Sequence, residues 1–264
     1  MQEFITSKDN PNIKLYQKLS ANKKYRTEYG MFPLEGLRLI SDAVMENAEL
    51  HCVLMTESFT KKQSVHGDAL DFPSVNGRRI LCISDELGAK LASTEGTQGI
   101  FAICRMKAAV PADTLAQKGG RYVMLHNIQD PGNMGTIIRT ADAMGIDGVF
   151  AVNCCDIYSP KAVRSTMGSL FRMKICLCSE EDAFAAFDKN GISSYAAVID
   201  SDAVSVTEVS FGGSSVVLIG NEGNGLPKEV SDRCTERITI KMHGNINSLN
   251  AATAASIIMW ELTK

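Results

Sequence analysis

A rhythm in the second half of the chain most constrains its fold. From Arg121 onward, short apolar runs rich in β-branched residues ("RYVMLHN", "GVFAV", "RMKICLC", "SSYAAVI", "SVVLIG", "RITIKM") alternate with helical patterns near 133–144, 161–168, 180–188, 227–232 and 249–263. A strand apolar at consecutive positions has to be covered on both faces, and a helix between two strands is the crossover that a parallel pair needs. The rhythm predicts an α/β fold with a mostly parallel sheet, in which ligands bind beyond the C-terminal ends of the strands. The polar residues just after each strand are therefore the place to look for chemistry.

Three strand ends stand out. The first leads into "NIQDPGNMGTIIRTADAMG", residues 127–145, a turn rich in Asn, Asp, Pro and Gly followed by a helix. Met134, Ile137, Ile138 and Ala141 fall at i, i+3, i+4 and i+7 and form its buried stripe, so Arg139 projects from nearly the opposite side. On this helix alone, Arg139 also reads as a solvated surface arginine. The second, "VVLIGNEGNGLP", residues 216–227, sets Gly220, Gly223 and Gly225 around Glu222. Glycine lets backbone approach a ligand closely, but the order is GxxGxG rather than GxGxxG and no P-loop lysine follows. A plain turn is the other reading, and it leaves Glu222 harder to explain. The third, "ITIKMHGNINSLNAATAASIIMWEL", residues 238–262, ends a strand at Ile240 and puts Ser248 at the expected N-cap of a small-residue helix. Capping alone would account for Ser248. Asn250 is less easily explained, because Asn is not a strong helix former.

The first part of the chain predicts a smaller α/β module over residues 1–105: a helix near 11–20, "GMFPLEG" as strand, "LRLISDAVMENA" as helix, then strands "LHCVLMT", "RRILCIS" and "GIFAICR", with a short helix capped by Ser84. "MKAAVPADTLAQKGG", residues 106–120, has Pro, Gly and no strong periodicity and reads as a linker to a second domain over 121–264.

The net charge of −3 means that any nucleic-acid contact must use local patches. Residues 1–30 supply one, with six Lys/Arg against three Asp/Glu, although a solvated basic helix reads equally well there. The eight cysteines contain no CxxC pair and lie mostly in strand-like apolar runs, and the four histidines are scattered, so buried structural thiols and no metal site are expected. The opening "MQEFITSKDNPNIK" lacks the apolar core of a signal peptide, and no run reaches the ~18 apolar residues of a membrane span. A cytoplasmic protein is expected.

In this order and spacing, the motifs resemble those of the SpoU/TrmH branch of the SPOUT RNA methyltransferases. "NxGxxxRTADAMG" is similar to the family's first motif, "IGNEGNGL" to its second and "SLNAATAAS" to its third, with "SPKAVRSTMGSLFRMKI", residues 159–175, similar to the segment between them. The likeness spans 121–264 nearly end to end. The N-terminal block resembles a ribosomal-protein-like substrate-binding domain through "LEGLRLISDAV" and "ISDELGAKLASTEGTQGIFAI".

The resemblance implies a deep C-terminal trefoil knot, a homodimer, S-adenosylmethionine held in the knot, and methylation of a ribose 2′-hydroxyl in ribosomal or transfer RNA without a metal. It assigns Gly220, Ile240 and Leu249 to the cofactor, Arg139 to catalysis, and Asn133, Glu222, Ser248 and Asn250 to the other signature positions. A guanidinium is a poor base, so Arg139 is expected to orient and stabilise charge, in a site completed by a partner subunit. Lys14, Arg26, Arg38 and Arg164 are the expected phosphate contacts, and the extra N-terminal domain favours ribosomal over transfer RNA. Two other readings remain. A doubly wound nucleotide-binding oxidoreductase is disfavoured by the missing GxGxxG after the first strand. A non-catalytic RNA-binding relative is disfavoured by Arg139 and the complete third motif.

Overall fold

The computed structural model describes residues 3–66 and 79–264. They form two compact units, one built on residues up to 107 together with 158–171, the other on 108–157 and 172–264.

The first unit runs β1 (Glu3–Ile5), α1 (Pro11–Ala21), α2 (Lys23–Tyr29), β2 (Met31–Glu35), α3 (Leu37–Met45), β3 (Leu50–Thr56), α4 (Glu57–His66), β4 (Arg79–Ile83), α5 (Asp85–Leu91) and β5 (Ile100–Arg105). Among the described residues the sheet order is β1-β4-β3-β5-β2, parallel from β1 to β3 and antiparallel at the two β5 pairings. Ile13, Leu19, Leu54, Leu81 and Phe101 are fully buried against one face of it. Ser84 caps α5 as expected, accepting from the Leu87 N–H at 3.3 Å.

The second unit begins with α6 (Ala112–Leu115), β6 (Arg121–His126), α7 (Pro131–Ala143) and β7 (Gly148–Val152). The chain then contributes α8 (Pro160–Ser165) and a 3-10 turn at Ser169–Phe171 to the first unit. It returns as β8 (Ile175–Leu177), α9 (Glu180–Asn190), β9 (Ser193–Ala197), β10 (Val204–Ser205), β11 (Ser215–Ile219), α10 (Lys228–Asp232), β12 (Glu236–Thr239) and α11 (Ala251–Leu262). Among the described residues the sheet order is β10-β12-β9-β11-β6-β7-β8, and every pairing is parallel. Strands β7 and β11 are buried along their whole length, as the consecutive apolar runs require.

This order positions the site. From β6 the chain moves through β7 to β8 at one edge, while β9 to β12 lie on the other side of β6. Because the strands are parallel, the loops after β6, β11 and β12 all emerge at one edge of the sheet, near the point where the winding reverses.

The stretch 106–120 differs from a linker. Ala112, Leu115 and Ala116 are buried in the core of the second unit, and a Cβ placed on Gly148 at the start of β7 would lie 2.4 Å from Leu115 Cδ1. A four-residue helix is too short to show a period in sequence, yet it covers the sheet. Residues 158–171 likewise belong with the first unit: the Phe32 ring lies 4.8 Å from that of Tyr158 and 6.3 Å from that of Phe171.

Candidate active site

Helix α7 starts at Pro131, two residues earlier than its periodicity suggests, because Asp130 caps it by accepting the Asn133 N–H at 2.9 Å. The Asp-Pro-Gly-Asn turn is thus the cap and first turn of the helix. Met134, Ile137, Ile138 and Ala141 are fully buried. Arg139 is exposed and has no hydrogen-bond or ion-pair partner among the described residues.

Glu222 ties the first and second motifs together. Its carboxylate accepts from the Asn133 side-chain amide at 3.0 Å, the Asp130 N–H at 3.1 Å and the Gln129 N–H at 3.3 Å. Burial works to raise its carboxyl pKa, but the hydrogen bonds from Asn133 and from backbone N–H groups outweigh it and hold the group below its ordinary value. Asn133 in turn accepts from the Asn250 side-chain amide at 2.9 Å, which brings in the third motif. The three motifs therefore meet through Glu222, Asn133 and Asn250.

Asn250, not Ser248, caps α11: its side-chain oxygen accepts from the Ala252 N–H at 2.9 Å and the Thr253 N–H at 3.3 Å. Ser and Asn are comparable caps by type, and the position that also reaches Asn133 takes the role. β12 ends at Thr239, which leaves Ile240 in the loop.

Beside this junction is a cavity of about 440 Å³, formed by the loops after β9, β11 and β12 and by one side of α11. Gly220, Glu222, Ile240, Ser248 and Leu249 line it; Arg139, Asn133 and Asn250 do not. Gly220 is needed for a reason other than positive φ. A Cβ there would lie 2.2 Å from the Gly225 carbonyl carbon and 2.3 Å from the Leu226 nitrogen, so the loop closes tightly over its own glycine. Asn221 shapes the same loop, accepting the Gly223 and Asn224 N–H groups at 2.9 and 3.1 Å and donating to the Asn127 carbonyl at 2.9 Å. Sequence reasoning passed over Asn221 and Gln129. The Asn-x-Gly pattern of an Asx turn was the available signal for the former.

Of the four expected RNA contacts, Arg26 alone is buried. Arg26 is 5% exposed and donates from Nη1 to the Leu19 carbonyl at 2.5 Å, so it pins α2 to the end of α1 and is withdrawn from any phosphate. Lys14 is exposed and paired with Asp9 at 2.7 Å. Arg38 is exposed on α3. Arg164 is half-buried and donates to Ser93 Oγ at 2.6 Å, beside a Glu35 carboxylate held by the Ser93 N–H and the Thr94 hydroxyl at 3.0 and 2.8 Å.

The cysteines are free thiols. Burial pushes the Cys154 thiol up to about 12 and that of Cys234 up to about 11, which suits structural, unreactive groups. Among the described residues no group of three His, Cys, Asp or Glu could hold a metal, and no helix is long and apolar enough to cross a membrane.

A model of the SpoU rRNA Methylase family matches residues 120–260, more than half of the chain. The chain belongs to that family. A second model, of an MRM3-like substrate binding domain, matches residues 10–102 of this SpoU protein. It is 31% identical over 98% of its length to a 23S rRNA (uridine(2479)-2′-O)-methyltransferase of Streptomyces viridochromogenes, 91% of which is covered. To a 23S rRNA (guanosine(2553)-2′-O)-methyltransferase of Bacillus subtilis the identity is 28%, with 98% of both chains covered. The crystal structure of an AdoMet-bound rRNA methyltransferase from Sinorhizobium meliloti superposes with a TM-score of 0.86 at 29% identity, over 98% of this chain and 97% of that one.

Proposed function

We propose that this SpoU protein is an S-adenosylmethionine-dependent methyltransferase that modifies a ribose 2′-hydroxyl of 23S ribosomal RNA. The observation that carries the proposal is the meeting of three family motifs, through Glu222, Asn133 and Asn250, beside a cavity of about 440 Å³. That volume lies in the range of cofactor sites. The walls suit an adenosyl amino acid, with turn backbone at Gly220–Gly225 for its polar edges and Leu226 and Ile258 for its apolar faces. Gly220, Ile240 and Leu249 would hold the cofactor through backbone groups. S-adenosylmethionine, when bound, supplies a methyl group on a positively charged sulfur.

The remaining work belongs to the protein. A 2′-hydroxyl is a weak nucleophile until charge can build on its oxygen. A guanidinium keeps its proton in a protein but offers fixed donors to such charge and to a neighbouring phosphate. Arg139 has that role. Glu222, Asn133 and Asn250 set the entry of α7, and hence the placement of Arg139 along it. Ser248 lies on the cavity rim, where its hydroxyl is open to a ligand.

Arg139 does not line the cavity, and a homodimer in which it serves the cavity of a partner subunit is part of the proposal. Its surface is supplied by apolar side chains of the second unit left in solvent, among them Ile199, Ile246 and Trp260 at 74%, 70% and 58% exposure. The proposal also includes a trefoil knot in the C-terminal segment. It is supported by the insertion of the late strand β11 between β9 and β6 and by the packing of α11 on α7, where Ser256 Oγ lies 3.4 Å from Thr140 Oγ1. The N-terminal unit serves as the RNA-recognition domain, and the protein works in the cytoplasm.

The test is transfer of a labelled methyl group from S-adenosylmethionine to purified 23S RNA and, separately, to transfer RNA, followed by digestion to nucleosides. Label in a 2′-O-methylnucleoside from 23S RNA is the expected result. Label in a methylated base, or transfer to neither RNA, contradicts the proposal.

A further inference from the structure

The first unit carries an aromatic and basic step that the site above leaves unused. In α2, "KKYRTEY", Tyr25 and Tyr29 lie one turn apart with ring centroids separated by 6.5 Å and planes tilted by 33°. Tyr25 packs partly against the core, but Tyr29 is 40% exposed, and neither hydroxyl has a hydrogen-bond partner among the described residues. From α1, Lys18 brings its ammonium to 5.3 Å from the Tyr25 ring centroid. Lys18, Lys23 and Lys24 are exposed and have no ion-pair partner among the described residues. Glu28 is the one acid on the helix.

The helix that carries the rings is anchored: the buried Arg26 guanidinium, bonded to the Leu19 carbonyl, ties α2 to α1. An exposed ring beside unpaired ammonium groups is the chemistry that recognises unpaired nucleotides: bases stack on the aromatic face while cations follow the phosphates. Duplex RNA hides its base faces and has no use for the rings.

We propose that the Tyr25–Tyr29 step, with Lys18, Lys23 and Lys24, binds an unpaired stretch of the RNA substrate. This rests on the methyltransferase reading for the identity of the RNA.

The experiment uses the full chain and two fluorescein-labelled probes followed by anisotropy: a short oligoadenylate and an RNA duplex of equal length. The wild type is expected to prefer the single strand. Tyr29→Ala and Tyr29→Leu should each weaken its binding about tenfold, the size expected for one lost stacking contact, and Tyr29→Phe should stay within about twofold. Lys23→Ala and Lys24→Ala should each lower the salt slope by roughly 0.7. Tyr29→Leu keeps apolar bulk at the position, so a loss shared by it and Tyr29→Ala at unchanged melting temperature reports the lost ring and not unfolding. Crosslinking of thiouridine-labelled RNA should fall on the peptide carrying Tyr25 and Tyr29. The proposal is overturned by a wild type that prefers the duplex, or by variants that bind like wild type, an outcome that would leave the step to a protein partner. Methyl transfer to 23S RNA by the wild type is measured in parallel. If transfer is absent while the ring-dependent binding holds, only the methyltransferase reading fails. If transfer is present and the Tyr29→Ala affinity and KM for RNA are unchanged, only this proposal fails.

Discussion

Replacing Glu222 by alanine removes the acceptor of four hydrogen bonds, from the Asn133 and Asn221 side-chain amides and from the Asp130 and Gln129 N–H groups. Hydrogen bonds to a charged group are worth about 1.5–3 kcal/mol each when water is excluded. Glu222 sits on the rim of a cavity, where water can replace it and screening is strong, so about 0.5 kcal/mol each is the appropriate scale. The expected loss is then about 2 kcal/mol, read as a lower urea midpoint at unchanged m-value. The effect on turnover should be larger, because the same bonds set where α7 begins. A displacement of ~1 Å at a reacting group costs on the order of 10²-fold, and kcat for methyl transfer should fall by about that factor, with S-adenosylhomocysteine affinity falling much less. Glu222→Gln keeps the shape but turns an NH2 group toward N–H donors, so it should resemble alanine more than wild type. A Glu222→Ala protein with full kcat would refute the idea that this carboxylate places the catalytic helix, whatever its stability.

The remaining predictions are smaller in scope. The Glu222 carboxyl pKa is lowered in the folded protein, so its contribution is fully present above the ordinary carboxylate range and is lost as pH falls through the folded value; the stability gap between wild type and Glu222→Gln should close in acid, and a gap independent of pH would contradict this. Gly220→Ala should cut S-adenosylhomocysteine affinity at least about tenfold by calorimetry, because its Cβ meets the Gly225 backbone at 2.2 Å and the loop must open. Ala254→Leu, half-buried on the cavity wall, should reduce the same affinity with little change in melting temperature; tight binding by this variant would move the cofactor elsewhere. Arg26→Met should cost about 2 kcal/mol through the unsatisfied Leu19 carbonyl and leave the salt slope of RNA binding unchanged. Arg139→Ala should lower turnover roughly 10²–10³-fold with cofactor affinity intact; mixed with Ala254→Leu under subunit exchange it should regain activity, and heterodimers without activity would mean that each chain holds a complete site.

The sheet of the second unit was legible because its strands are buried on both faces: consecutive apolar residues such as Val216–Ile219 leave little alternative to a covered parallel strand. The stripe on α7 was legible from the helical period. Much of the site was not. Glu222 and Asn133 are 89 positions apart and Asn133 and Asn250 are 117 apart, so the bonds that join them exist only after the sheet has formed. The family motifs marked Glu222, Asn133 and Asn250 without indicating that Glu222 accepts from backbone or that Asn250 caps α11. Charge counting failed at Arg26 for a related reason: a guanidinium that satisfies a buried carbonyl looks, in sequence, like one that faces phosphate. The step at Tyr25 and Tyr29 went unremarked because two tyrosines at i and i+4 fit a buried helix face as well as a binding surface; the exposure of Tyr29 separates the cases.

The proposed function is transfer of a methyl group to one ribose of 23S RNA with Arg139 at the reacting oxygen. The most direct test maps 2′-O-methyl groups across ribosomal and transfer RNA by sequencing, in a strain deleted for this protein and in the same strain complemented with wild type or with Arg139→Ala. One 2′-O-methyl position in 23S RNA should disappear on deletion, return with the wild type and stay absent or strongly reduced with Arg139→Ala. An unchanged 23S map, or a position restored equally by both proteins, would contradict it.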